Sequence, residues 1–344
     1  MNERSVLPKL KSYPFVSVLI AMKNEERYIG PCLDSFKDQL YPQDKFEIVI
    51  CDGKSTDKSR EIVEKYRAKH DNILLFANEK EISSAGWNLG LKKAKGEIII
   101  IMGAHTTVPP NFIYQNVRYL LNTDASCVGG KVNNVGEDYV SKAISLCLGS
   151  PFGVGNAHYR YLEKEAYVET INYGAYWRKD VGRVGFFDEN LLRNVDWDYN
   201  YRLRKWGGKL FYTPRIQSFY FNRGTIGKLF QQWLHNAYWK IKVFNKYPKS
   251  LLPRHLVPSA FVLSLMVSFL LAFFFGTFFY VFLTIILVYS IGEIAVSLGI
   301  TRRAGYKYFP LLLLIFPVLH FAYGLGFLGG LFRFGIPLKR EVSQ

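Results

Sequence analysis

Gly96-Glu97-Ile98-Ile99-Ile100-Ile101-Met102-Gly103-Ala104-His105-Thr106-Thr107-Val108-Pro109-Pro110 is the stretch on which the reading of this chain turns. Four consecutive isoleucines and a methionine lack the apolar–polar alternation of a half-exposed strand. They predict a strand covered on both faces, as in a parallel sheet packed between helices. The run stops at Gly103-Ala104-His105. In open α/β sheets ligands sit beyond the carboxyl ends of the strands, so a metal-capable imidazole here is placed for a site. A plain turn glycine followed by an ordinary polar residue is the other reading of the same three residues, and the neighbouring strands have to decide between them.

Upstream, Val16 to Ala21 and Phe46 to Cys51 are short apolar runs of the same kind, and Ile73 to Ala77 is a third. Helical patterns lie between them, from Tyr28 to Leu40, through Ile62, Val63 and Tyr66, and from Ser83 to Lys95, with Ser55 or Thr56 as a cap for the second. Strands alternating with helices at this spacing predict a parallel, doubly wound sheet. Each strand ends in polar residues at what is then one rim. Asn24 and Glu25 follow the first, Asp52 the second and His105 the fourth. Carboxylates in such positions accept hydrogen bonds from a nucleoside, so the rim reads as a nucleotide site. No G-x-G-x-x-G follows the first strand and no G-x-x-x-x-G-K-[ST] occurs, which argues against a dinucleotide oxidoreductase and a P-loop NTPase.

The 344 residues carry a net charge of +16 and are 49% hydrophobic, unevenly distributed: from Leu256 to Val296 only Glu293 is charged. A basic chain suits nucleic acid, anionic membranes or phosphate-bearing substrates. The apolar C-terminal part favours the membrane, and there is no zinc-finger or RNA-binding signature to support nucleic acid. Cys32, Cys51, Cys127 and Cys147 form no C-x-x-C pair, which fits a reducing compartment. The first apolar segment is too short for a signal peptide, so the N-terminal part is expected on the cytoplasmic side.

Taken in order, Lys23-Asn24-Glu25-Glu26, Asp52-Gly53-Lys54-Ser55-Thr56-Asp57, Ser84-Ala85-Gly86-Trp87-Asn88-Leu89-Gly90 and Ala94-Lys95-Gly96-Glu97 resemble family 2 glycosyltransferases over residues 14 to about 245. The later part looks closest to succinoglycan-type membrane-bound glucosyltransferases. The resemblance implies an α/β GT-A fold with a mostly parallel sheet flanked by helices. It also implies an inverting transfer of sugar from a nucleotide donor, most plausibly a UDP-sugar, to a membrane-held acceptor such as a lipid-linked saccharide. By the same resemblance, Asn24, Glu25 and Asp52 hold the nucleoside. The family's Asp-x-Asp falls on Gly103-Ala104-His105, so both acids are missing, and Ala104 and His105 inherit the donor and metal positions. Imidazole is accepted by Mn²⁺ more readily than by Mg²⁺, which makes Mn²⁺ the expected ion.

In Arg193-Asn194-Val195-Asp196-Trp197-Asp198, Val195 replaces the family's Glu while Asp196 keeps its Asp. Asp196 is the expected general base, with Asp198 as fallback, and Arg193, Lys23 and Lys54 are candidate phosphate partners. Tyr173-Gly174-Ala175 matches the small-residue segment approached by the donor sugar. Gln232, Trp233, Tyr238 and Trp239 match a late segment that closes over donor and acceptor, beside His235. Cys147 to Arg160, rich in glycine and aromatics, reads equally as a mobile substrate loop or a plain surface connection. Because Gly103 and Val195 each stand where a carboxylate is expected, a catalytically weakened partner subunit that binds nucleotide sugar or glycan is the second reading.

The expected organisation is a catalytic domain over residues 1–239, a basic interfacial segment over 240–255 facing lipid head groups, a membrane domain over 256–334 with about three spans, a re-entrant third segment being the alternative, and a tail over 335–344. Arg302, Arg303 and Lys307 return the chain to the cytoplasm after the second span. The glycines between Gly324 and Gly330 are expected to let helices pack closely.

Overall fold

A computed structural model describes residues 8–155, 157–222 and 224–337. The chain opens with β1 (Val16–Met22), α1 (Ile29–Asp34), β2 (Phe46–Asp52), α2 (Ser59–Arg67), β3 (Ile73–Ala77), α3 (Ser83–Lys93) and β4 (Ile98–Gly103). It continues through β5 (Thr106–Thr107), α4 (Phe112–Asn122), β6 (Cys127–Val135), α5 (Tyr139–Leu148), α6 (Pro151–Val154), β7 (Ala166–Tyr167) and β8 (Ala175–Trp177). After α7 (Arg178–Val184), α8 (Val195–Lys205) and β9 (Leu210–Phe221) come four long helices, α9 (Ile226–Lys246), α10 (Pro253–Ala272), α11 (Gly276–Ala304) and α12 (Phe309–Phe334).

The order β3-β2-β1-β4 is parallel throughout, with Leu19 opposite Val49 on one side and Ile101 on the other. Ile98, Ile99 and Ile100 are fully buried, as a strand covered on both faces requires. The rest of the sheet departs from the doubly wound expectation: β8 pairs antiparallel with β4, and β6, β9 and β5 follow beyond it. β5 and β8 are very short, and the longer β6 and β9 interrupt their apolar residues with glycine and polar side chains, so neither carries the unbroken apolar run that made the first half legible. Between β1 and β4 the strand order reverses, because β1 leads outward to β2 and β3 and the next strand returns to its other side. That reversal makes the carboxyl ends of β1 and β4 the place where an open α/β sheet binds its ligand.

Local differences have local causes. The first helix stops at Asp34, where Ser35 Oγ bonds back to the Cys32 carbonyl and competes with the helical ladder. Neither Ser55 nor Thr56 caps α2. Asp57 does the equivalent work, its Oδ1 accepting from the Ser59 N–H at 3.0 Å.

The chain divides into two compact units, one running to Asn133 and including His158–Tyr220, the other comprising Asn134–Ala157 and Phe221 onward. The second unit takes in α9, within which residue 239 lies, and groups residues 134–157 with the apolar helices. Cys147 to Arg160 is consequently neither a mobile loop nor a plain surface connection through its first half. Phe152 packs edge-on against Phe316 and His320, each at 5.0 Å between ring centroids, and its carbonyl accepts from His320 Nε2 at 2.8 Å. Residue 156 lies outside the described residues.

Three helices of the second unit are long and apolar enough to cross a membrane: Pro253–Ala272, Gly276–Ala304 and Tyr306–Phe334. The expected interfacial segment over 240–255 is not one element, since α9 continues to Lys246 and α10 begins at Pro253. Residues 338–344, with Lys339 and Arg340, lie outside the described residues. The glycines do admit close packing. A Cβ on Gly326 would lie 2.1 Å from the Leu234 carbonyl oxygen of α9, and one on Gly330 would lie 2.7 Å from that of Tyr238. Gly326→Val is therefore expected to destabilise the second unit by ~1–3 kcal/mol through overpacking. Gly329→Val, at an exposed position with no atom nearer than 3.9 Å, should be close to neutral. Thermal unfolding of both variants in detergent measures the difference, and equal behaviour would refute the packing role.

Candidate active site

The first unit brings the ends of β1, β2 and β4 together with the segment before β8 and the start of α8. Asn24, just past β1, adopts a left-handed backbone (φ 54°), a conformation asparagine tolerates better than most residues. Its N–H donates to Ser55 Oγ at 2.9 Å and its Oδ1 accepts from the Thr56 N–H at 2.8 Å. Asp52, 2% exposed, takes the Ser55 hydroxyl at 2.6 Å and N–H at 3.2 Å on Oδ1, while Oδ2 lies 3.7 Å from Arg60. These two side chains shape the turn at Lys54, itself left-handed at φ 56°. The expected nucleoside contacts thus begin as the framework of the rim.

Glu25 and His105, predicted separately for nucleoside and metal, meet at 2.8 Å between Oε1 and Nδ1. A carboxylate only accepts, so this bond requires the proton on Nδ1 and leaves Nε2 of the neutral ring with the lone pair. The ring is held further by Tyr220 on β9, edge-on at 4.8 Å. Ala104 is buried and offers no side chain to a ligand.

Lys23 pairs with Glu81 at 2.7 Å, and Lys54 lies 3.0 Å from Glu79 and 3.7 Å from Glu81. Hydrogen bonding to Lys23 lowers the Glu81 pKa, and hydrogen bonding to Glu79 raises that of Lys54. All four are well exposed, so these pairs contribute little to stability and can be exchanged for an anionic ligand.

Asp196 stands in the first turn of α8, directly after Asn194 turns the chain through φ 58°. Arg193 precedes it and is half-buried. Asp198, two residues further on, is fully buried with its Oδ2 on Arg202 Nε at 2.9 Å. Arg202 also donates to the carbonyls of Val184 and Phe186 at 2.8 and 3.0 Å, so the pair ties α8 to the end of α7. That geometry suits Asp198 to structure rather than to proton transfer.

Tyr173, expected as part of the small-residue segment, lines the same place with Thr106 and Tyr220, which were not singled out as site residues from the sequence. The Thr106 hydroxyl donates to Tyr173 Oη at 3.0 Å. Burial first, then the neighbouring Tyr220, pushes the Tyr173 phenol up; the charge of Asp196 adds to this. Gln232, Trp233, Tyr238 and Trp239 lie on α9 in the second unit, and the three aromatic rings pack on α12: Trp233 against Tyr323, Tyr238 and Trp239 against Phe334.

Among the described residues no group of three or more His, Cys, Asp or Glu side chains could hold a metal ion alone. The donor set at the strand end is one imidazole nitrogen backed by a carboxylate. This fits an ion that brings most of its ligands with it, on a diphosphate, and does not fit a resident ion in a protein cage.

The sequence profile of glycosyl transferase family 2 matches residues 17–180. A dolichyl N-acetyl-alpha-D-glucosaminyl phosphate 3-beta-D-2,3-diacetamido-2,3-dideoxy-beta-D-glucuronosyltransferase of Methanococcus voltae is 31% identical over 226 residues, 63% of this chain and 70% of that protein. The chain is a family 2 glycosyltransferase. This glycosyltransferase is also 27% identical over 251 residues to the succinoglycan biosynthesis protein ExoA of Rhizobium meliloti, covering 71% of its own chain and 76% of the relative. In structure it matches a mannosyltransferase of Pyrobaculum calidifontis solved with GDP-Man and Mn²⁺. The TM-score is 0.62 at 19% identity over 92% of this chain and 88% of the other, a likeness that establishes the GT-A fold. In this glycosyltransferase the end of β4 reads Gly103-Ala104-His105, and His105 bonds to Glu25 from the end of β1.

Proposed function

We propose that this glycosyltransferase is an inverting, membrane-anchored enzyme. It moves a sugar from a nucleotide donor, a UDP-sugar in the first instance, to a membrane-held acceptor such as a lipid-linked saccharide. The observation that carries the reading is the gathering of Glu25, His105, Tyr173 and Asp196 at the sheet's switch point in a chain that also holds three membrane-length helices. A lipid-linked acceptor is supported by the Methanococcus voltae relative, whose name specifies a dolichyl-phosphate-linked sugar. A cytoplasmic catalytic unit is supported by charge. Lys240, Lys242, Lys246, Lys249 and Arg254 precede or open α10, and Arg302, Arg303 and Lys307 close or follow α11, which puts both clusters on one side of two successive spans.

In the transfer, the acceptor hydroxyl attacks the anomeric carbon as the bond to the nucleoside diphosphate breaks on the opposite face. Asp196 takes the hydroxyl proton. Asn24, Glu25 and Asp52 shape the nucleoside end of the site. Arg193, with Lys23 and Lys54 released from Glu79 and Glu81, supplies positive charge to the phosphates. His105 would hold a divalent cation, Mn²⁺ in preference to Mg²⁺, which when bound would supply positive charge to the leaving diphosphate. Glu25 then keeps the imidazole oriented from behind.

The test is nucleoside diphosphate release by the purified full chain with native lipid extract, over UDP-, GDP- and dTDP-sugars, in Mn²⁺, Mg²⁺ or EDTA. Release from a UDP-sugar, strongest with Mn²⁺ and lost in EDTA, is expected. His105→Ala should reduce it by roughly 10–100-fold. Release indifferent to EDTA would overturn the metal role and leave the diphosphate to Arg193 and the lysines. Production of inorganic diphosphate would instead mark nucleotidyl transfer.

A further inference from the structure

Gly103 occupies the place of a carboxylate in the expected motif, and a tyrosine fills the space. A Cβ built on Gly103 would lie 3.0 Å from Tyr173 Oη and 3.7 Å from Cε1 and Cζ of the same ring, so side chains at 103 and 173 compete for one volume. Tyr173 reaches that volume from just before β8 with its backbone at φ 56°, a region a bulky residue seldom adopts without surrounding support. The Thr106 hydroxyl donates to Tyr173 Oη at 3.0 Å, which occupies an oxygen lone pair and leaves the phenolic O–H to donate elsewhere.

We propose that Tyr173 Oη stands in for the missing strand-end acid and donates a hydrogen bond to the ribose–diphosphate part of the bound nucleoside diphosphate. The inference rests on the nucleotide-sugar reading above. Burial keeps the phenol protonated, as a donor needs. Exchanging a carboxylate for a neutral phenol replaces an acceptor by a donor and removes one negative charge from beside the diphosphate. Nucleoside diphosphate binding therefore retains a part that needs no divalent ion, unlike a site with two strand-end acids.

Isothermal titration of the purified full chain with UDP and with uridine, each in Mn²⁺ and in EDTA, tests this with wild type, Tyr173→Phe and Gly103→Asp. Tyr173→Phe is expected to weaken UDP binding roughly tenfold, in EDTA as well as in Mn²⁺, with the thermal unfolding temperature unchanged. A loss seen with UDP alone assigns the partner to the diphosphate; a loss also seen with uridine assigns it to the ribose. Gly103→Asp, forced against the phenol, should weaken binding in the wild-type background and recover it in Mn²⁺ when combined with Tyr173→Ala. Wild-type affinity in Tyr173→Phe overturns the proposal, as does a loss of affinity that merely follows a fall in unfolding temperature. A wild-type chain that binds no nucleoside diphosphate overturns the nucleotide-sugar reading itself, a separate outcome.

Discussion

Asp196→Asn is expected to lower sugar transfer by roughly 10²–10⁴-fold, the span ascribed to a positioned general base, while leaving nucleoside diphosphate affinity at the wild-type level. The expectation follows from position. Asp196 opens α8 beside the strand ends, and its charge acts on the Tyr173 phenol that stands under Gly103. An amide of the same shape cannot take a proton. Single-turnover transfer and UDP titration on the same preparation separate the two quantities. A variant that transfers at the wild-type rate would remove Asp196 from the reaction, and one that loses binding in step with turnover would make it a ligand-holding residue.

Asp198→Ala is expected to act in the opposite way, on stability. Removing one partner of a buried ion pair leaves the other charge uncompensated, which costs about 3 kcal/mol or more. Here the residue left behind is Arg202, still bound to the carbonyls of Val184 and Phe186 but with Nε unpaired. Chemical denaturation of the first unit, followed through its tryptophans, should show a lower midpoint, and Asp198→Asn should recover part of it by restoring an acceptor. Turnover per folded molecule should change far less than in Asp196→Asn. If Asp198→Ala abolished turnover at wild-type stability, the two aspartates would have to exchange roles.

The separation of these neighbours was only half visible in the primary structure. Both acids lie in the first turn of α8, two residues apart and so on different faces, and the pair alone does not say which face is buried. The fold turns Asp198 inward onto Arg202 and leaves Asp196 on the flank. The same holds at the rim. Asn24, Glu25, Asp52 and His105 were legible as polar endings of apolar strands, yet the bond between Glu25 and His105 spans 80 residues of sequence. Tyr173 was legible as part of a small-residue segment, whereas its competition with Gly103 for one volume needs β8 beside β4.

By itself the sequence determined the parallel half of the sheet, the rim at its strand ends and the three membrane-length helices. Those follow from runs of apolar residues, and the local period of such a run declares both its form and its covering. Only the tertiary structure decided the antiparallel half, the assignment of residues 134–157 to the apolar unit, and which carboxylates pair inside the protein and which stay at the rim. These depend on contacts between segments distant in the chain, where burial makes an unpaired polar group expensive and so selects its partner, and no local pattern records that choice.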